Sequence, residues 1–116
     1  IFEPHFRRNY IHVKDIVDAF VFAINNFDKL KNNIYNLGLS SANITKIQLA
    51  RKIKKYVKDL DIKIIKNRKD PDKRDYFVSN RKIEKHGFKA RVSLDTGIKE
   101  LIKIFSYCDI KFKNNY

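Results

Sequence analysis

The chain has 116 residues, a formal net charge of +13 and 43% hydrophobic residues. That is enough for one domain with a modest core, too short for two domains, and too apolar for a disordered chain. No apolar run approaches the roughly 18 residues that a membrane-spanning helix needs, and the opening Ile1-Phe2-Glu3-Pro4-His5 has no signal-peptide pattern. A single cysteine, Cys108, excludes an internal disulfide, and His5, His12 and His86 are scattered without metal-ligand spacing. A cytoplasmic setting is the expectation. The positive charge raises nucleic acid as a partner. The lysines, however, run along the whole chain and accompany many Asn and Ile residues, which reads as compositional bias rather than one basic face.

In chain order, Ile1 to Phe6 reads as a connector carrying Pro4, and Asn9 to Val13 as a brief strand. Asp15 to Asn26 (DIVDAFVFAINN) has apolar residues at Ile16, Val17, Ala19, Phe20, Val21, Ala23 and Ile24. This is wider than one stripe and predicts a helix buried on most of its circumference, stopped by Asn25-Asn26. Lys29 to Asn33 reads as a polar loop, Ile34 to Gly38 as a strand, and Leu39 to Asn43 as a Ser/Asn-rich turn. Thr45 caps a helix to about Val57, and Asp61 to Lys66 alternates as a strand should.

Asn67 to Asp75 (NRKDPDKRD) is the most charged run, and Pro71 precludes a regular helix there. Tyr76 to Val78 is a short extended piece. Asn80 to Lys85 reads as a short helix closed at Gly87, with Phe88 packing back. Ser93 caps a last helix, Leu94 to about Phe105, with Ile98, Leu101, Ile102 and Phe105 inward. The tail 106–116 is expected to fray.

Several chemistries have no sequence support. The glycines Gly38, Gly87 and Gly97 are too far apart to form a phosphate cradle of the dinucleotide or P-loop kind. Two literal Tyr-x-x-x-Lys matches occur, Tyr10/Lys14 and Tyr107/Lys111. A lysine one helical turn from a tyrosine can lower the phenol pKa for proton transfer. Tyr10 falls on a predicted strand, where positions four apart are not neighbours, and Tyr107 lies in the tail, so both read as accidental. His12 sits in an apolar context and reads as a hydrogen-bonded core histidine.

Arg8-Asn9-Tyr10-Ile11-His12-Val13-Lys14-Asp15 resembles the R-D-Y-I-H-V-x-D segment of the extended short-chain dehydrogenase/reductases that act on nucleotide sugars. Ile34-Tyr35-Asn36-Leu37-Gly38 resembles that family's Y-N-x-G strand, and Thr45 through Ile53 its following helix. Asp72-Lys73-Arg74-Asp75-Tyr76, Lys82-Ile83 and Gly87-Phe88 resemble its R-x-x-D…Y…S-K-x…L-G-W region, and Val92 through Ile98 its closing V-S-L-x-x-G-I helix. The resemblance covers roughly residues 6–105 and only the C-terminal third of such an enzyme. It implies the C-terminal part of a Rossmann-type α/β fold, α+β-like by itself, with a small mixed sheet and about four helices. Residues 1–116 would then form a single substrate-binding domain. The glycine fingerprint and catalytic Tyr-x-x-x-Lys would lie in an N-terminal Rossmann half.

The resemblance also implies roles. Arg8 matches an arginine that contacts the nucleotide-sugar diphosphate, a task suited to the parallel donors of a guanidinium. Counting back from Tyr76 places Asp72 near the nucleoside and Lys69 where the family has its second arginine, with Arg68 adjacent. Whether Arg68, Lys69 or Arg74 meets the phosphates stays open. Tyr76 matches a residue lining the sugar pocket. Asn9 replaces the usual aspartate, and Ser79 and Arg81 stand where the family has aspartate and serine.

The expected role is thus the substrate-binding part of a nucleotide-sugar epimerase or dehydratase, of the isomerase or lyase kind used in polysaccharide biosynthesis. It would bind a nucleoside-diphosphate sugar, have no catalytic, cofactor or metal ligands of its own, and rely on NAD or NADP in the intact enzyme. The alternatives are a basic nucleic-acid-binding module, or a domain that docks a partner or self-associates through the apolar helix at Asp15–Asn26.

Overall fold

The computed structural model describes residues 1–66 and 74–107. Two short strands, β1 (Arg7–Asn9) and β2 (Asn43–Thr45), pair antiparallel with Arg7 opposite Thr45, Arg8 opposite Ile44 and Asn9 opposite Asn43. Between them run α1 (Val13–Asn25), α2 (Phe27–Leu30) and a 3-10 turn (Ser40–Ala42). After β2 come α3 (Lys46–Lys54), α4 (Arg81–Lys85) and α5 (Leu94–Tyr107). This is a small α/β arrangement. Its sheet among the described residues is a two-stranded antiparallel ribbon rather than the mixed sheet expected.

The strand boundaries differ from the sequence reading for identifiable reasons. The expected strand at Asn9–Val13 shifts to Arg7–Asn9 because His12 caps α1, its Nδ1 accepting from the Lys14 amide at 3.1 Å. Asn43–Thr45 lies in and beside the expected turn yet pairs with β1. Ile34–Gly38 has strand-like composition but no ladder among the described residues, since a pleated pattern becomes a strand only beside a neighbour. At Asp61–Lys66 two hydrogen bonds reach Ile1, from its amine to the Lys63 carbonyl at 2.5 Å and from the Ile65 amide to its carbonyl at 3.1 Å, and one bridging residue is too little for a ladder.

Several helix caps follow the sequence, although α1 starts at Val13, before the expected Asp15, and α3 ends at Lys54, before the expected Val57. Thr45 and Gln48 form a reciprocal capping box at the start of α3. Ser93 Oγ accepts from the Thr96 amide at 3.0 Å at the start of α5. Gly87 adopts φ 101° after α4, a conformation that favours glycine, and the Phe88 amide returns to the Ile83 carbonyl. Asn26 ends α1 as read, but α2 then forms inside the expected loop and buries Leu30. α5 continues to Tyr107, past the expected end of the helix, and residues 108–116 lie outside the described residues, with Cys108 and Lys111 among them.

Two small apolar clusters hold the chain together. Ala19, Ile83 and Phe88 pack with Phe22, Tyr35 and Leu37, and the Phe22 and Phe88 rings lie 5.6 Å apart. Leu39, Ala42 and Ala90 pack with Tyr10, Ile11 and Leu94. Asp15, 2% exposed, joins the clusters by accepting from the Arg91 and Val92 amides at 2.9 and 3.0 Å.

The helix α1 is not buried on most of its circumference. Val13, Val17, Phe20, Val21 and Ile24 are all more than half exposed, and Leu101 and Phe105 of α5, expected inward, are exposed as well. Only one face of each helix meets the described part of the chain, so apolar residues on the other face lack cover.

Candidate functional site

The site is built where β1 meets residues 74–80. Among the described residues, 75–79 make no backbone-to-backbone hydrogen bond. Side chains anchor this segment instead. Asn43 on β2 accepts from the Val78 amide through Oδ1 at 2.9 Å and donates through Nδ2 to the Val78 carbonyl at 3.0 Å. Asn36 donates to the Ser79 carbonyl at 3.4 Å, and the buried Asn80 donates to Ser40 Oγ at 3.3 Å. Ser40 in turn donates to Glu84 at 2.6 Å. A side-chain amide thus takes the place of a third strand's ladder.

At the other end the anchors are arginines. Asp75 accepts from the Arg7 amide at 2.7 Å and from Arg7 Nε and Nη2, both at 3.1 Å. These bonds hold the Asp75 carboxyl below the usual carboxylate range. Arg8 Nη1 donates to the Arg7 carbonyl at 2.8 Å and to the Arg74 carbonyl, and its guanidinium carbon lies 5.2 Å from the centre of the Tyr76 ring. A guanidinium set against an aromatic ring is attracted to its face, which restricts its position and suits oriented donation to an anion.

Arg8, the Arg74 backbone and Tyr76 are therefore brought together. Arg68, Lys69 and Asp72 lie outside the described residues. Arg7, Asp75 and Asn43 do the organising and were not singled out as site residues. The Arg7-Arg8 doublet is visible in the sequence, but nothing in it signals a partnership with Asp75, 68 positions away.

Tyr10 stands beside this group. Burial pushes its phenol pKa up, with Arg8 acting in the opposite direction. Lys14 is exposed on α1. His12 has two partners, the Lys14 amide and Glu100, whose Oε2 is 2.8 Å from Nε2. With Nδ1 accepting, Nε2 carries the proton and donates to Glu100, tying the start of α1 to α5.

Asn9, where the resemblance expects aspartate, donates to the Leu39 carbonyl at 2.9 Å, while its buried Oδ1 has no hydrogen-bond partner among the described residues. The glycines do not fit a nicotinamide cofactor. A Cβ on Gly38 would lie 1.7 Å from Asn9 Oδ1, Gly87 closes α4, and Gly97 lies within α5 against His12. None opens a helix toward a pyrophosphate. Among the described residues no group of three His, Cys, Asp or Glu side chains could hold a metal ion, and no helix is long and apolar enough to cross a membrane.

This small α/β architecture matches part of a Rossmann-type fold, and residues 5–38 match the model of the NAD dependent epimerase/dehydratase family. The matched stretch contains β1, α1 and the Arg8–Asp15 segment, and it supports the family the sequence resembles. The structure is also similar to that of a GDP-D-glycero-L-gluco-heptose synthase from Campylobacter jejuni, crystallised in the presence of NADPH, at 23% identity and a TM-score of 0.73 over 91% of this chain. The chain spans about a third of that protein's length, 32%.

Proposed function

We propose that this chain is the substrate-binding part of an NAD(P)-dependent enzyme acting on nucleotide sugars, and that it clamps the nucleoside diphosphate between β1 and the segment following residue 73. The convergence of Arg8, the Arg74 carbonyl and Tyr76 carries this reading. A guanidinium held beside a tyrosine ring can turn its donors to phosphate oxygens, and the ring supplies a wall for the sugar. Arg68, Lys69, Asp72 and Arg74 remain part of the proposed site as further cations and a ribose acceptor, on the resemblance. Binding the phosphates would supply energy remote from the reacting sugar carbon and hold that carbon in register with a hydride donor or acceptor.

The nicotinamide cofactor and the hydride step belong, in this proposal, to a Rossmann-type half outside this sequence. The chain alone is expected to turn over no nucleotide sugar.

Isothermal titration with UDP and GDP tests the clamp. Weak binding of at least one, reduced by Arg8→Ala, is expected. Equal affinity for parent and variant removes Arg8 from the site. A 1:1 isotherm with NAD+ in the micromolar range, about −8 kcal/mol, would contradict the assignment of the cofactor to another half.

A second reading rests on a separate observation. The outward face of α1 continues into an open apolar groove of about 400 Å3 lined by Ala19, Phe20, Ala23, Phe27, Leu30 and Tyr35. Such a face calls for cover, by the Rossmann-type half in the proposed enzyme or by a second copy of this chain. Sedimentation at several concentrations distinguishes self-association from a monomer.

A further inference from the structure

We propose that Arg7 and Asp75 are positioning residues of this clamp, a charge-neutral latch that fixes the segment carrying Arg74 and Tyr76 and cancels a carboxylate beside the anion site. The proposal rests on the diphosphate reading above and deepens it.

Residues 75–79 have no backbone ladder among the described residues, so side chains decide where the segment lies. Asn43 and Asn36 hold its far end, at Val78 and Ser79. Its near end is held by Arg8, through the Arg74 carbonyl, and by Arg7, through three hydrogen bonds to Asp75. Arg8 is the group that would turn donors toward phosphate, so its bond to Arg74 competes with the ligand. The Arg7–Asp75 bonds involve neither Arg8 nor the Tyr76 ring. They can hold the wall in place whether or not an anion is bound, which spares the ligand the ordering cost.

The latch also has an electrostatic role. Asp75 lies next in sequence to both Arg74 and Tyr76, and an unpaired carboxylate there would repel a diphosphate. The Arg7 guanidinium, 3.1 Å from the carboxylate, cancels that charge. Truncating the two partners therefore has unequal effects. Removing Asp75 loosens the wall only, whereas removing Arg7 loosens the wall and also exposes a negative charge.

The test is a double-mutant cycle in the full chain, read as UDP and GDP affinity by titration calorimetry, with circular dichroism confirming that each variant folds. Asp75→Ala is expected to weaken binding about threefold, the scale of a partly exposed ion pair, and Arg7→Ala about tenfold. The double variant should bind better than Arg7→Ala alone, because removing the carboxylate removes the repulsion. Arg7→Lys, which keeps the charge, should stay within about threefold of the parent.

Additive losses in the double variant, or unchanged affinity in both single variants while Arg8→Ala abolishes binding, overturn the latch and leave the clamp standing. No binding of either nucleotide by the parent chain overturns the clamp and the latch with it.

Discussion

Asn43 holds Val78 by both polar atoms of its backbone, at 2.9 and 3.0 Å, and so gives a segment without a ladder the equivalent of one strand pairing. Asn43 also stands opposite Asn9 at the end of the β1–β2 ribbon, so one residue joins the ribbon to the 74–80 segment. Asn43→Ala is expected to cost about 1–3 kcal/mol, two modest hydrogen bonds with partly buried partners left unpaired. Urea denaturation measures the loss. Amide hydrogen exchange should show the Val78 amide losing protection while the α1 amides keep theirs.

Gly38 is required by close approach. A Cβ there would lie 1.7 Å from Asn9 Oδ1 and 2.8 Å from Asn9 Cγ, nearer than packed atoms come. Gly38→Ala should destabilise by about 1–3 kcal/mol, the usual range for overpacking. Adding Asn9→Ala should recover part of that loss, so the double variant would be more stable than the sum of the single effects predicts. Thermal unfolding of the four proteins checks this.

Asp15 ties α1 to the turn before α5 through the Arg91 and Val92 amides. In Asp15→Asn one carboxylate oxygen becomes an NH2 group that cannot accept, at a site only 2% exposed. A loss of about 2–3 kcal/mol is expected, since bonds to a charged acceptor are the stronger kind. Denaturation at neutral pH provides the measurement.

Two carboxylates set an acid-side pH dependence. Hydrogen bonds from Arg7 hold the Asp75 carboxyl below its ordinary value of 3.8, and hydrogen bonds from Lys52 and Tyr56 do the same for Asp95. A depressed folded-state pKa gives stability that is present above the unfolded value and lost as pH falls through the folded one. Stability should therefore decline as the pH drops below 3.8, and less steeply in Asp75→Asn and Asp95→Asn. Urea midpoints across an acidic pH series test the slope.

Phe20 and Ile24, 67% and 73% exposed, lie on the uncovered face of α1. Phe20→Glu with Ile24→Lys should lower any concentration-dependent association without lowering monomer stability, because neither side chain is buried in the chain itself. Equal sedimentation behaviour in parent and variant would place the association surface elsewhere.

The sequence by itself determined the principal helices and several of their caps. Local rules suffice for the Thr45–Gln48 capping box, the Ser93 cap, the left-handed Gly87 and the Asn26 stop, because each involves atoms within a few residues of one another. It also singled out Arg8 and Tyr76, through a motif whose order and spacing survive in a chain with little else to identify it. Only the tertiary structure decided the strands and the uncovered face. Ile34–Gly38 and Asp61–Lys66 look like strands but join no ladder among the described residues, whereas Asn43–Thr45 does not and joins one. An apolar helix surface in turn says that cover is needed, not whether the chain supplies it. The tertiary structure likewise revealed Arg7 with Asp75 and Asn43 with Val78, pairs 68 and 35 residues apart, because contacts at that separation depend on the path of the chain between them and on no local pattern.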